Sequence, residues 1–153
     1  MSKYILSIDA GTTGITIILF DKNTNIIAKE YSEFSQIYPK PGYVEHDPLE
    51  IWNITENLLT NISKKYQNNI HSIGIANQRE TIVAWNKNNG KPIYNAIVWQ
   101  CKRTLPECNK LVNKNYSDLI KNKTGLVIDS YFSATKIKWI IDNVPKANKL
   151  MNN

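Results

Sequence analysis

Short apolar runs separated by polar turns open the chain and predict a β-meander. Residues 4–8 are rich in β-forming side chains, residues 15–20 resume the pattern, and residues 26–33 continue it. Turn-forming sequences lie between these runs, at residues 9–14 and 21–25. The alternation predicts three consecutive strands joined by tight connections.

A helix and a further strand are predicted after the meander. Asp47 suits an N-cap, Pro48 the first helical position, and Glu50 stands three residues after the cap, as in a capping box. Apolar residues then recur at helical spacing over residues 51–62, and residues 71–76 predict a buried strand. A helix that connects into a buried strand predicts a mixed sheet in an α/β layer fold.

The second half of the chain predicts a hairpin followed by helices. Residues 81–85 and 92–99 flank an Asn-Asn-Gly turn, which favours a β-hairpin. Residues 104–144 predict three helical pieces, broken near Asn115 and at residues 123–125. No further strand pattern follows, so we expect the sheet to be incomplete at its C-terminal side.

Composition narrows the classes of function. The net charge is +6, but only two of the 19 cationic residues are Arg, whereas base recognition depends on bidentate Arg. We therefore expect no nucleic-acid partner. No apolar stretch reaches the length of a membrane span and no signal peptide is evident, which predicts a cytoplasmic protein with no membrane partner. Cys101 and Cys108 do not form a disulfide framework and are expected to be reduced thiols.

The turn at residues 9–14, with the sequence Asp-Ala-Gly-Thr-Thr-Gly, is a candidate phosphate site. Gly14 and the other glycine let the backbone approach an anion closely, and the backbone N–H groups of such a turn form an anion nest. Thr12 and Thr13 add hydroxyl donors, while Asp9 is placed to hold a hydrated magnesium ion. A plain β-turn with Asp as turn former explains the same residues. The chain lacks a Walker loop, which excludes a P-loop enzyme.

A polar run at residues 77–81, which contains Arg79 and Glu80, directly follows the predicted strand of residues 71–76. Open α/β sheets bind ligands at the carboxyl ends of their strands. Adjacent donors and an acceptor suit a polyol, because a ligand without the matching hydroxyls would leave those groups unpaired. A solvated surface ion pair is the alternative interpretation.

Two aromatic residues are further candidates for a substrate pocket. Trp99 closes the predicted hairpin and could form a pocket wall against the carbons of a small substrate. Tyr131 could present its hydroxyl to a ligand. An ordinary core Trp and an aromatic residue at a helix start explain the same positions equally well.

These motifs resemble the glycerol kinases, which belong to a carbohydrate kinase family that includes xylulokinases and gluconokinases. The Asp-x-Gly-Thr turn is shared across the wider family, whereas the Asn-Gln-Arg-Glu-Thr run and the Pro-Ile-Tyr-Asn-Ala-Ile-Val-Trp-Gln run are much narrower. The resemblance covers nearly the whole chain and is carried by residues 8–13, 36–48, 77–81, 90–100, 124–129, 131–133 and 135–139.

The resemblance implies the ribonuclease H-like α/β fold of actin, hexokinase and Hsp70. It also implies transfer of the γ-phosphoryl group of ATP to glycerol, with magnesium as cofactor and glycerol and ATP/ADP as partners. By the same resemblance, Thr12, Thr13 and Gly14 would face the nucleotide phosphates and Asp9 would lie near the metal. The residues that would bind glycerol are Arg79, Glu80, Trp99 and Tyr131.

The sequence departs from the family pattern in two ways. Gly14 and Thr16 stand where these kinases usually carry Ser and Arg, which affects the nucleotide side of the site. The family's chain is also much longer, so residues 1–153 correspond to the N-terminal part of its first domain, without the second domain. The catalytic Asp that the family uses is expected outside this chain, and a homo-oligomer is expected only of a full-length enzyme. A non-catalytic binding module derived from a related sugar kinase such as a xylulokinase is the alternative.

Overall fold

A computed structural model describes residues 3–151 and divides the chain into two units. The first unit runs to Gln36 and resumes over Asp47–Gln78. The second comprises Ile37–His46 and the chain from Arg79 onward. The residues proposed for phosphate binding therefore belong to the first unit, and those proposed for polyol binding belong to the second.

The first unit contains the predicted meander. Strands β1 (Tyr4–Ala10), β2 (Gly14–Phe20) and β3 (Ile26–Glu33) pair antiparallel in sequence order. The strand that follows the helix, Ile70–Ala76, pairs parallel with β1 and completes a four-stranded sheet. This arrangement confirms the mixed sheet.

Helix α1 (Pro48–Tyr66) begins at the predicted residue and is followed by a single 3-10 turn, Gln67–Asn69. The Leu49 N–H donates to Asp47 Oδ1 at 2.8 Å, which confirms the N-cap. The capping-box role expected of Glu50 is wrong. Its carboxylate instead accepts from the backbone N–H and the hydroxyl of Ser35, at 3.0 and 2.9 Å, and so fixes the end of the meander to the helix.

One face of the sheet and α1 form the apolar core of this unit. Alternate residues of β1 and β2 point toward the helix, because successive side chains of a strand lie on opposite faces. Burial of this face is the main stabilising contribution. The buried members are Leu6, Ile8, Ile15, Ile17, Leu19, Phe34, Leu58 and Ile62.

The strand Ile70–Ala76 is exposed, so the prediction of a buried strand is wrong. Ile73 and Ile75 keep 57% and 72% of their surface accessible. They are the register partners of Leu6 and Ile8 and therefore continue the apolar face. Helix α1 packs against β2 and β3, on the other side of β1, and leaves this extension of the core face uncovered.

In the second unit, the predicted hairpin forms with less regular pairing than expected. Isolated bridges join Ile82 to Ile97 and Trp85 to Pro92, and the only strand within it is Ala96–Ile97. Pro92 has no N–H to donate, which limits the ladder on that side. The short strand pairs antiparallel with a second short strand, Glu45–His46. In chain order, Glu45–His46 is β4, Ile70–Ala76 is β5 and Ala96–Ile97 is β6.

The predicted helices are confirmed, and one more follows them. Asn115 (φ 59°) and Gly125 (φ 74°) adopt left-handed conformations at the two predicted breaks. Within the described range, none of the helices combines the length and apolarity that a membrane crossing requires. The helices are α2 (Leu105–Asn113), α3 (Ser117–Thr124), α4 (Ser133–Asn143) and α5 (Pro145–Met151).

A buried ion pair lies at the centre of the second unit. Arg103 Nη2 donates to Glu45 Oε1 at 2.5 Å, and both side chains are almost completely inaccessible. Tyr94 Oη and Asn95 Nδ2 donate to the same carboxylate at 2.8 and 2.9 Å. The Arg103 guanidinium also lies 4.5 Å from the centroid of the Trp139 ring. This group joins β4 to the segment around β6 and to α4.

Candidate functional site

The β1–β2 turn (residues 9–14) is held by hydrogen bonds to three consecutive carbonyl groups. Gln78 Nε2 donates to the Gly11 carbonyl at 2.8 Å, and Gln36 Nε2 donates to the Thr12 carbonyl at 3.0 Å. The Phe34 N–H donates to the Thr13 carbonyl at 3.3 Å. Because these oxygens are satisfied within the unit, an anion at the turn would meet its donors rather than uncapped carbonyls.

Sequence reasoning did not assign a role to the two glutamines that support this candidate site. Gln36 is 24 residues away from Thr12, and Gln78 is 67 residues away from Gly11. Both lie in motifs that carry the family resemblance, and that was the only sequence signal available. Their position within those motifs does not indicate that their side chains bind the backbone carbonyls of the β1–β2 turn.

Gly14 is buried where β2 meets β3, and no side chain fits there. A Cβ atom on Gly14 would lie 2.7 Å from the Ser32 carbonyl oxygen and 2.8 Å from Cε2 of Tyr31. The Tyr31 hydroxyl would be 2.9 Å away. Real Cβ contacts do not approach this closely, so packing within this chain explains Gly where the resemblance implies Ser.

Asp9, the penultimate residue of β1, is exposed beside this turn. Among residues 3–151, no group of three or more His, Cys, Asp or Glu side chains could hold a metal by itself. Mg²⁺ usually keeps several waters and takes one or two carboxylates together with substrate phosphates. A single exposed carboxylate next to a candidate phosphate-binding turn fits that mode of binding.

Glu80 follows β5 in an unusual backbone conformation. Its φ of 65° lies in the left-handed region, which costs energy for a residue with a side chain. The Ser133 hydroxyl donates to Glu80 Oε2 at 2.5 Å, which fixes the carboxylate to the start of α4. Strain of this kind persists where the surrounding structure holds the residue in place, and such residues cluster at functional sites. Arg79, its neighbour, is exposed.

Trp99 and Tyr131 lie together and form an aromatic wall. Their ring centroids are 5.7 Å apart with an interplanar angle of 64°, the edge-to-face geometry that aromatic pairs prefer. The Trp99 N–H donates to the Thr81 hydroxyl at 3.3 Å, so the residue after Glu80 supports the wall. Both rings are partly exposed and can contact a ligand.

The backbone of Tyr131 is fixed on both sides. Its N–H donates to Asp129 Oδ1 at 2.6 Å, and its carbonyl accepts from the Lys136 ammonium. Phe132 packs edge-to-face on the Tyr131 ring, with centroids 5.2 Å apart. Sequence reasoning assigned no role to Ser133 or Lys136, because neither residue type at these positions signals a ligand site.

The structure thus brings three of the four predicted polyol-binding residues into one group. We call Glu80, Trp99 and Tyr131, together with the adjacent Arg79, the polyol pocket, after the ligand that the sequence analysis predicts for them. Among the described residues, Arg79 makes no hydrogen bond or ion pair with the protein. Its guanidinium is therefore available to a ligand.

A family model for the N-terminal domain of the FGGY family of carbohydrate kinases matches residues 4–153. The chain belongs to this family. Glycerol kinase 2 of Thermotoga maritima is 55% identical over 93% of the chain, which corresponds to 29% of that protein. Glycerol kinase of a Thermoanaerobacter species is 55% identical over 97% of the chain and 31% of its own length. The chain therefore spans about 30% of the curated relatives it matches.

Solved structures confirm the expected fold. Glycerol kinase of Plasmodium falciparum with ADP matches 99% of the chain with a TM-score of 0.91 and 36% identity, over 31% of that protein. A gluconate kinase of Lactobacillus acidophilus matches 98% of the chain, over 30% of its own, with a TM-score of 0.88 at 21% identity. The second likeness shows that the α/β fold with its mixed sheet is common to kinases of different sugars and polyols.

Proposed function

We propose that this FGGY-family chain provides the glycerol-binding and nucleotide-phosphate-binding residues of an ATP-dependent glycerol kinase in the cytoplasm. In this reaction an oxygen of a terminal glycerol hydroxyl bonds to the γ-phosphorus of ATP. The bond from that phosphorus to ADP breaks, and the hydroxyl loses its proton, giving glycerol 3-phosphate. The observation that carries the proposal is the polyol pocket, in which a strained Glu80 backbone and a fixed aromatic wall present a carboxylate, an indole ring and a phenol hydroxyl.

The pocket suits a small polyol for physical reasons. Glu80 accepts hydrogen bonds from hydroxyl groups and Arg79 donates to them, so together they match neighbouring hydroxyls. Hydrogen bonds to charged groups are the stronger kind. The Trp99 ring offers an apolar face to the C–H side of the ligand, and the Tyr131 hydroxyl supplies another polar contact. A ligand lacking the hydroxyls would leave the charged groups unpaired.

The β1–β2 turn supplies the complementary half of the proposal. Thr12, Thr13 and Gly14 would bind the phosphates of ATP through backbone N–H and hydroxyl donors. Asp9 would hold a hydrated magnesium ion, whose charge offsets that of the phosphates. Catalysis of phosphoryl transfer is mainly positioning and charge stabilisation, so these residues contribute binding and orientation.

The proposal gives residues 1–153 no general base. The proton of the attacking hydroxyl would pass to an Asp in the part of the family's sequence that this chain does not span. By this assignment, the chain alone binds ligands but forms no glycerol 3-phosphate. An assay with saturating ATP and magnesium would contradict the assignment if the purified chain produced glycerol 3-phosphate above background.

A chimaera tests the function directly. Residues 1–153 replace the matching segment of the Thermotoga maritima protein, and phosphorylation of glycerol, gluconate and xylulose is compared. We expect ATP-dependent turnover of glycerol in preference to the other two. A folded chimaera that preferred gluconate or xylulose would favour a related sugar kinase, and one without any turnover would favour a binding module.

A further inference from the structure

Lys136 is a buried cation in a position that is unfavourable for it. Its relative accessibility is 0%, although it carries an ammonium group. It lies in the first turns of α4, which begins at Ser133, where the helix dipole opposes positive charge. Among residues 3–151, its ammonium forms no ion pair with a carboxylate. Burial accordingly lowers the pKa of Lys136, against the opposing influence of the Glu80 and Asp129 charges.

The ammonium of Lys136 donates its hydrogen bonds to Tyr131 of the polyol pocket and to the residue before it. Lys136 Nζ donates to the Ser130 carbonyl at 3.3 Å and also to the Tyr131 carbonyl. On the other side of Tyr131, its backbone N–H donates a hydrogen bond to the Asp129 carboxylate. The carboxylate with the largest electrostatic influence on Lys136 is that of Glu80.

General stability does not account for a lysine here. Buried charges cost several kcal/mol of desolvation, and an apolar side chain of similar volume often stabilises a fold as well or better. What an apolar side chain could not do is hold two carbonyls by hydrogen bonds. The two bonds constrain the backbone conformation of residues 130–131.

We propose that Lys136 is a positioning residue of the polyol pocket. Its ammonium fixes the backbone of Ser130 and Tyr131, so that the Tyr131 ring stays against Trp99, and its charge favours the Glu80 carboxylate in its place beside Ser133. The part of this inference that concerns ligand binding rests on the proposed glycerol-binding function. The part that concerns the Tyr131 ring can be tested without any ligand.

The test uses three variants of the 153-residue chain. Lys136→Met removes the charge and the donors, Lys136→Gln keeps a donor without the charge, and Lys138→Met is the matched control. Lys138 is on the same helix but is exposed and pairs with Asp142 at 2.7 Å. The NMR shifts of the Tyr131 ring protons report its contact with Trp99, and a Trp99→Leu chain supplies the reference for a lost contact.

We expect Lys136→Met to move the Tyr131 shifts toward the Trp99→Leu reference and to weaken glycerol binding about tenfold, the effect of losing a hydrogen bond to a charged group. Lys136→Gln should lie between this variant and the parent chain, and Lys138→Met should match the parent in both measurements. Thermal melting separates positioning from stability, because a merely structural lysine would lower the melting temperature and leave the folded-state Tyr131 shifts unchanged.

Retention of the Tyr131 shifts in a folded Lys136→Met chain overturns the proposal, whatever the chain binds. If that substitution prevents folding, Lys136→Gln decides by the same shifts and the same glycerol titration. A parent chain that binds no glycerol counts against the proposed function alone, since the Tyr131 shifts still decide the role of Lys136. Displaced Tyr131 shifts with unchanged glycerol affinity overturn the link between Lys136 and ligand binding.

Discussion

The polyol pocket and the β1–β2 turn achieve local order by different means. In the pocket, side chains are fixed: the Glu80 carboxylate by Ser133, and the Tyr131 ring by Trp99 and Phe132. In the turn, the backbone is fixed through its carbonyls, while the carboxylate of Asp9 and the side chain of Thr13 are exposed. One region presents oriented side chains, and the other presents an oriented main chain.

The difference matches the chemistry proposed for each region. Hydroxyl groups are recognised by directional contacts, which require side chains with defined orientations. Phosphates carry several equivalent oxygens and can be bound by any cluster of donors, so a correctly shaped backbone is sufficient. By the resemblance that the sequence carries, the two departures, Gly14 and Thr16, both fall in or beside the turn, and no departure is expected in the pocket.

The largest effect is expected from the ion pair that supports the second unit. Glu45→Gln leaves Arg103 buried without its carboxylate, a loss worth about 3–5 kcal/mol of unfolding free energy. Glu107→Gln is the control, because its pair with Lys110 is exposed and worth less than about 1 kcal/mol. Amide hydrogen exchange should show lost protection in the second unit and retained protection in β1 and β2. An equal loss of protection in both units would contradict a stabilising role of the ion pair that is confined to the second unit.

The same ion pair predicts a dependence of stability on pH. Burial by itself raises the pKa of Glu45, but hydrogen bonds from Arg103, Asn95 and Tyr94 outweigh it and hold the pKa below its ordinary value. The resulting stability is present above the pKa of Glu45 in the unfolded chain and is lost as the pH falls through the lower, folded value. Chemical denaturation between neutral and acidic pH should therefore show a smaller acid-induced loss in Glu45→Gln than in the parent chain.

Arg79→Ala tests whether the pocket is specific to the polyol. In the chimaera, loss of a charged donor should cost about 1.5–3 kcal/mol, which is roughly a ten- to hundredfold fall in kcat/KM for glycerol. The KM for ATP should change little. Lys91→Ala removes an exposed cation of the hairpin and should leave both values unchanged. If Arg79→Ala weakened ATP as much as glycerol, Arg79 would be a phosphate-binding or structural residue.

Gly14→Ser tests whether the turn depends on backbone packing. The new side chain would overlap the Ser32 carbonyl and the Tyr31 ring, so we expect a loss of about 1–3 kcal/mol and a fall in Tm of roughly 2–4 °C per kcal/mol. Gly74→Ser is the control in the same sheet, because nothing lies within 4 Å of a Cβ there. Equal melting temperatures for Gly14→Ser and the parent would show that β3 shifts to make room for the side chain without loss of stability.

Local patterns predicted most of the secondary structure but not how its parts support one another. The N-cap at Asp47 and the break at Gly125 follow from the chemistry of single residues, and both were confirmed. The exposure of β5 depends on which strands α1 covers, and an apolar run alone does not contain that information. The same holds for the candidate site: sequence named Glu80 and Tyr131, but their contacts with distant side chains arise only in the folded chain.

Thr16→Arg is expected to have the smallest effect, and on the turn alone. Thr16 is half-buried in β2 and is the register partner of both Asp9 and Tyr31. An Arg there adds a cation near the proposed phosphate site, which should lower the KM for ATP in the chimaera roughly two- to fivefold, the range for an exposed charge pair.

The gain from Thr16→Arg should shrink as salt is added, because exposed charges are screened. Thr16→Gln adds a side chain of similar length without the charge, so it should not lower the KM for ATP. Since Thr16 and Arg79 are assigned to different ligands, the free-energy effects of Thr16→Arg and Arg79→Ala should add in the double variant. At saturating ATP, the kcat/KM for glycerol of the Thr16→Arg chimaera should stay unchanged. A change in it as large as the change in the KM for ATP would show that the turn and the pocket are coupled. The contrast between the two regions would then no longer hold.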